Sequence, residues 1–230
     1  ASSVSNSTSH IIDRYLTRRV GPALIDGSPA GELGLVVAIP AYDETTITAV
    51  LSSLFECSPP PCLVEVIVLV NLPSDAETDV RERSRSAAEQ AKEWAQQNSR
   101  EGIAVHIVGP VELPARHAGV GLARKLAMDE GTRRLASAGN GDGVIVCLDA
   151  DCSVAPNYLA EVVAYFLARP RVGASTIHYE HPLDDDTMGP LITRYELFLR
   201  YYRLGLRFAG SAHAFHTVGS AIAVRACAYA

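Results

Sequence analysis

Val144-Ile-Val-Cys-Leu-Asp-Ala-Asp151 runs from five apolar residues straight into two carboxylates that flank one alanine. An unbroken, β-branched apolar run of this length is how a strand buried on both faces reads, and such strands belong to parallel sheets. Working back toward the N-terminus, residues 35–39, 64–70 and 103–108 are short, β-branched and nearly continuous in apolarity, and read the same way. Helical patterns separate them. Ile47, Val50, Leu51, Leu54 and Phe55 follow the spacing of one helix face, and Leu159, Val162, Val163, Phe166 and Leu167 repeat it. Val80, Ala87, Ala91 and Trp94 mark a stripe on a longer, charged helix. The alternation predicts an α/β fold, a mostly parallel sheet with helices on both faces. Beyond it the pattern predicts a strand over 172–179, a long helix over 187–206 with Leu191, Tyr195, Phe198 and Tyr202 on one side, and a last strand over 217–224. Residues 1–33 read as an N-terminal helix (11–20) and a Gly/Pro linker, and 34–230 as the domain.

Composition bounds the function. The chain has 230 residues and a net charge of −6, which argues against bulk affinity for nucleic acid or anionic membrane. An anionic ligand must therefore be held by a local arrangement. No apolar run approaches the ~18–20 residues of a membrane span, so no transmembrane segment is expected. The polar start, residues 1–8, lacks the apolar region of a signal peptide. The five cysteines form no C-x-x-C pair and read as reduced thiols of a cytoplasmic protein.

In open α/β sheets ligands bind at the carboxyl ends of strands, where the strand order reverses. Pro40-Ala-Tyr-Asp-Glu44 follows the first strand, Asn71-Leu-Pro-Ser74 the second, and a loop leading through Arg116 to Gly119-Val-Gly-Leu-Ala-Arg-Lys125 the third. Asp149 and Asp151 follow the fourth. Two adjacent like charges call for a cation or for exposure. A divalent cation is one answer, since Mg2+ uses one or two carboxylates plus substrate phosphates. A solvated turn is the competing answer. Tyr42 could stack on a base or cap the sheet. Asp43 could cap the following helix, with Glu44 in its first turn. Gly119 and Gly121 could admit a phosphate or only lead into a helix. Arg124 and Lys125 could neutralise a diphosphate or form a solvated helix face. Jointly, an aromatic, an amide, a basic residue and a carboxylate pair on one sheet edge suit a metal-bound nucleoside diphosphate.

These segments resemble the family-2 glycosyltransferases of the GT-A fold. Val36-Val-Ala-Ile-Pro-Ala-Tyr-Asp-Glu44 is similar to their first strand and nucleotide-contacting turn, usually P-x-Y-N-E. Gly121-Leu-Ala-Arg124 is similar to G-x-A-R, residues 144–151 to the strand ending in DxD, and His216-Thr-Val-Gly-Ser-Ala-Ile-Ala-Val-Arg225 to G-x-x-x-x-x-R. The resemblance implies a nucleotide-diphosphate sugar donor, an unidentified acceptor and Mn2+ or Mg2+. It implies nucleotide-sugar contacts from Pro40, Ala41, Tyr42, Glu44, Asn71, Gly121, Arg124 and Asp149. It implies Asp149 and Asp151 as metal ligands, and inversion at the anomeric carbon. Asn71-Leu-Pro-Ser74 departs from the usual D-D-G-S, and Asp43 from the usual Asn. The general base and a third metal ligand are expected beyond Ala230, so the chain reads as truncated before the end of the acceptor side.

Within the chain Glu180 could approach a sugar, although a surface position is the stronger reading. Asp184, Asp185 and Asp186 read as a solvated loop and helix start. His178, His181, His213 and His216 read as packing or surface residues. Gly219 and Ser220 read as a turn near the donor phosphate or the acceptor, or as a backbone requirement. Self-association is left open. Two rivals remain. A haloacid-dehalogenase-like phosphohydrolase would use Asp149 as nucleophile and Asp151 as acid/base, but there the motif opens the domain. A non-catalytic nucleotide-binding module of the same fold would need no base. A sugar nucleotidylyltransferase fits less well, because no glycine-rich loop follows Ile39.

Overall fold

Successive side chains of a strand point to opposite faces, and in β1 (Leu33–Ala41) every residue but Gly34 is buried. The computed structural model describes residues 2–181, 189–215 and 218–230. Asp184, Asp185, Asp186 and His216 lie outside them. Leu35, Val37 and Ile39 enter one apolar cluster, shared with α2 (Ile47–Phe55), α3 (Thr78–Gln97) and α5 (Tyr158–Ala168). Val36 and Ala38 enter a second, shared with α1 (Ser2–Arg19), α4 (Val120–Ser137) and α7 (Ala226–Tyr229). Helices thus cover both faces of the sheet, as the apolar runs predict.

The sheet has six strands in the order β3-β2-β1-β4-β6-β5. β2 (Leu63–Pro73), β3 (Ile103–Leu113) and β4 (Val144–Cys147) are parallel to β1 or to its neighbour. β6 (Ile222–Arg225) is antiparallel to β4, and β5 (Ala174–Thr176) is antiparallel to β6. β2 and β3 run past their predicted ends at Val70 and Val108. A proline normally signals the end of a strand because it lacks an N–H. Here Pro110 sits on the edge strand at a bulge, where Leu69 faces Val108 and Asn71 faces Val111. The last two strands are shorter than predicted.

α6 (Gly189–Phe208) is described from Gly189, and the first two residues of its predicted span, 187 and 188, lie outside the described residues. Its predicted apolar side is not a core face. Leu191, Tyr195, Phe198 and Tyr202 are each more than half exposed. The periodicity is present and the partner surface is not, among the described residues. No helix among them is long and apolar enough to cross a membrane.

α4 carries the site's main cation, and two features set its position. Gly131 lies against β1, where a Cβ would come within 2.9 Å of Val36 Cγ1. On the opposite side, the N-terminal segment covers α4. Tyr15 Oη and Tyr229 Oη each donate to Asp129 Oδ1 at 2.8 Å, and the Leu24 amide donates to Glu130 Oε2 at 3.0 Å. The segment from Ile12 to Leu24 therefore packs on the sheet's helical layer, and Ile12 is part of the second core cluster.

A buried ion pair ties α4 to β2. Arg134 donates through Nη2 to Glu65 Oε1 at 2.7 Å and through Nε to Oε2, and both side chains are about 5% exposed. Burial alone would raise the Glu65 carboxyl, but the Arg134 and His106 contacts outweigh it and hold the group at about 2. A carboxyl depressed in the folded state stabilises above its unfolded value and loses that contribution as pH falls through the folded value. Glu65→Ala is expected to cost about 3–5 kcal/mol at pH 7, because it strands a buried guanidinium. Denaturation curves should show the gap to the native chain narrowing between about pH 5 and pH 2.

Candidate functional site

β1 leads through β2 to β3 on one side, while β4 lies on its other side, so the strand order reverses between β1 and β4. Their carboxyl ends are adjacent, since Ala38 pairs with Cys147 and the Leu148 amide donates to the Ala38 carbonyl. The turn after Ala41 and the segment after Cys147 therefore flank one crevice.

Asp149 and Arg124 meet there. Arg124 Nη2 donates to Asp149 Oδ1 at 2.6 Å, with the two side chains 17% and 36% exposed. The pair answers one of the two charges at the end of β4. Arg124 Nε is buried with no partner, a donor left over. Gly219, in the turn before β6, closes the group. A Cβ on it would sit 2.4 Å from Arg124 Nη1, and the three nearest atoms all belong to that guanidinium. Arg124, Asp149 and Gly219, from three separate sequence segments, thus converge on one contact. Arg124 is not on a solvated face, and Lys125, which reads like it in sequence, turns the other way to Asp129 and Tyr15. Asp151 is exposed.

The first turn departs from expectation in its details. Pro40 and Ala41 are buried inside β1, and Tyr42 is the exposed side chain at 47%. Asp43 does not cap α2, which starts at Ile47 without a side-chain cap. It instead takes a positive φ of 51° and binds Arg83 of α3 through both oxygens, at 2.7 and 2.8 Å. Asn and Asp are the non-glycine residues that best tolerate this backbone region. The hydrogen bond from Arg83 holds the Asp43 carboxyl below its ordinary value. Glu44 precedes the helix and lies near Thr46, with Oε2 3.4 Å from Thr46 Oγ1. Arg83, which sequence reasoning missed, carried no signal beyond one charge among many on α3.

Asn71 lies within β2 rather than after it and has no exposed surface. Its amide donates to the Ala118 carbonyl at 3.3 Å, and its Oδ1 is buried without a partner. It anchors the approach to α4 and presents nothing to the crevice. Gly119 and Gly121 open α4 at the surface, and a Cβ on either would meet nothing within 4 Å. Neither glycine is required by space. Glu180 is 70% exposed and lies 3.8 Å from Arg200 and 3.7 Å from His178, in the segment that leaves β5.

The residues at the crevice offer a divalent cation hard oxygen donors. Asp151 is exposed, and one Asp149 oxygen is left by the Arg124 pair. The described residues contain no cluster of three or more potential ligands. Two carboxylates completed by phosphate oxygens and water still suit Mg2+ or Mn2+. The thiols do not compete. Burial first, then Asp151 and Asp149, push Cys152 up to about 11, and burial does the same to Cys147. All five cysteines are free.

The profile of glycosyl transferase family 2 matches residues 36–228. The chain belongs to that family. The match takes in the crevice turn, Arg124, Asp149, Asp151 and Gly219. Among solved structures, the chain is similar to the mannosyltransferase PcManGT from Pyrobaculum calidifontis, in complex with GDP-Man and Mn2+, at 19% identity and a TM-score of 0.42. The alignment covers 97% of this chain and 54% of that one, so the chain spans about half the length of the structure it matches. No curated protein matches it.

In this family-2 chain the contact of Gly219 with Arg124 gives a direct test. Gly219→Ala should push the guanidinium off Asp149 and, because the displaced atoms are the far end of a flexible side chain in a partly exposed pair, cost no more than about 1 kcal/mol in a denaturation experiment. In an Arg124→Ala background the same substitution should cost much less, because the side chain it strikes has gone.

Proposed function

We propose that residues 34–230 form the donor-binding part of an inverting glycosyltransferase that takes a nucleotide-diphosphate sugar with Mn2+ or Mg2+. The convergence of Arg124, Asp149 and Gly219 beside the exposed Asp151 carries this reading. Family membership supports it. Asp149 and Asp151 would hold the cation, which when bound offsets charge on the departing diphosphate. Arg124 would supply a fixed positive charge on the same side, through the part of its guanidinium that stays exposed. Tyr42 offers an exposed ring at the mouth of the crevice for stacking on a base. In such a transfer an acceptor oxygen bonds to the anomeric carbon, the bond to the diphosphate breaks, and a carboxylate takes the hydroxyl proton. Glu180 is a poor choice for that proton, since it is engaged with Arg200 and His178.

Calorimetry with a panel of nucleotide-diphosphate sugars, with and without Mn2+, tests the reading. At least one should bind, and more tightly with the cation. Asp151→Asn should remove the dependence on Mn2+. Arg124→Ala should weaken binding by about 1.5–3 kcal/mol, roughly ten- to a hundredfold. Binding by none of the panel, or binding that Asp151→Asn leaves unchanged, overturns it.

A further inference from the structure

A second polar site opens on the same edge of the sheet, and the donor reading does not use it. A cavity of about 330 Å³ lies between α6 and the segment after β5, walled by His178, Tyr179, Arg200, Arg203, Arg207 and Phe215 among others. That volume is at the lower end for small-molecule pockets.

Strand register locates it. Ile222 of β6 pairs with Cys147 of β4 on one side and Thr176 of β5 on the other. Both neighbours are antiparallel to β6, so they leave the sheet in the same direction. His178 follows Thr176 as Asp149 follows Cys147. Two strand spacings, roughly 10 Å, separate the two exits. The cavity is therefore beside the donor crevice and not on another side of the molecule.

Its charge is unusual for a chain with a net charge of −6. Arg200, Arg203 and Arg207 recur at helical spacing and all reach the cavity. Arg200 is engaged by Glu196 at 3.1 Å and Glu180 at 3.8 Å, and Glu180 also lies 3.7 Å from His178. Glu196 is further held by His181. Among the described residues Arg203 and Arg207 have no ion-pair partner. Two unanswered guanidiniums one turn apart repel each other, and an anion between them removes that cost. A phosphomonoester carries about −1.5 to −2 and three acceptor oxygens, which matches two guanidinium forks. A monocarboxylate would answer only one. Tyr179 and the half-exposed Phe215 give the same cavity apolar walls for the rest of the ligand.

We propose that this groove binds a phosphomonoester through Arg203 and Arg207, with Arg200 and His178 flanking, and that it holds the phosphorylated end of the acceptor. The binding stands on the groove alone, and the acceptor role rests on the donor reading above. The phosphate itself does not react. A soluble metabolite or a lipid headgroup could carry it. The exposed Leu197, Tyr201, Leu204 and Phe208 elsewhere on α6 make the lipid arm worth a separate measurement.

The 230-residue chain is titrated, with EDTA and without nucleotide, by glycerol 3-phosphate in a calorimeter. In parallel it is floated with phosphatidylcholine vesicles with and without phosphatidic acid. Binding is expected in at least one arm, and the arm that binds names the source. The double variant Arg203→Ala, Arg207→Ala should lose about tenfold or more, while Arg124→Ala should leave this binding unchanged. The double variant should keep its affinity for the nucleotide sugar, so failure of the groove and failure of the donor reading are told apart. If the alanine variant unfolds by circular dichroism, Arg203→Gln, Arg207→Gln carries the same test. No binding in either arm, undiminished binding by the double variant, loss of binding on Arg124→Ala, or equally tight binding of glycerate overturns the proposal.

Discussion

β1 is hydrogen-bonded to β2 on one side and β4 on the other, and helices cover both of its faces. A polar side chain along such a strand must find a buried partner or forfeit its hydration. Neighbouring β2 shows the requirement in Glu65, which is tolerated only because Arg134 reaches it from α4. Polar chemistry is therefore driven to the carboxyl ends, and the reversal of strand order between β1 and β4 opens a crevice there. The same dryness fixes the helices. α4 can approach β1 closely because Gly131 has no side chain to meet Val36, and that approach brings Arg124 within reach of Asp149.

The Arg124–Asp149 contact contributes to geometry more than to stability. Partly exposed pairs of this kind are worth little, because water screens them. What the pair does is orient a guanidinium across the crevice, in space that a side chain at Gly219 would take. Asp151, one residue beyond the buried Ala150, is left exposed beside it. The crevice thus holds a fixed cation and, two residues along from its partner Asp149, an exposed carboxylate, which is the arrangement the proposed metal-bound diphosphate calls for.

Strands β1, β2 and β4 are legible from residues alone, because strands buried on both faces leave continuous apolar runs. The continuation of β3 is not, because Gly109-Pro110 looks like a stop until its edge position and bulge are known. Asn71 is misread for a related reason. A polar residue before Leu-Pro looks like a loop, yet its amide has a partner in Ala118 that only the fold supplies. The α6 stripe shows the reverse error, since Leu191, Tyr195, Phe198 and Tyr202 have the period of a core face and lie in solvent. At the site, residue types were legible and pairings were not. Arg124 and Lys125 are adjacent in sequence, and only the rotation of α4 sends one to Asp149 and the other to Asp129.

Charge is distributed along the sheet edge in a way that net charge conceals. At −6 the chain repels anions at long range. Locally, Arg124 lies at the end of β4, and Arg203 and Arg207 lie beyond the end of β5, with β6 between. Two carboxylates accompany each group of cations, Asp149 and Asp151 at the first and Glu180 and Glu196 at the second, but the balance differs. In the crevice Asp149 and Asp151 outnumber Arg124, so the diphosphate proposed there calls for an accompanying cation. In the groove the guanidiniums are in excess, so an anion is favoured without one. On the two proposed readings the neighbouring sites differ in their requirement for metal, and each penalises the state of charge the other accepts.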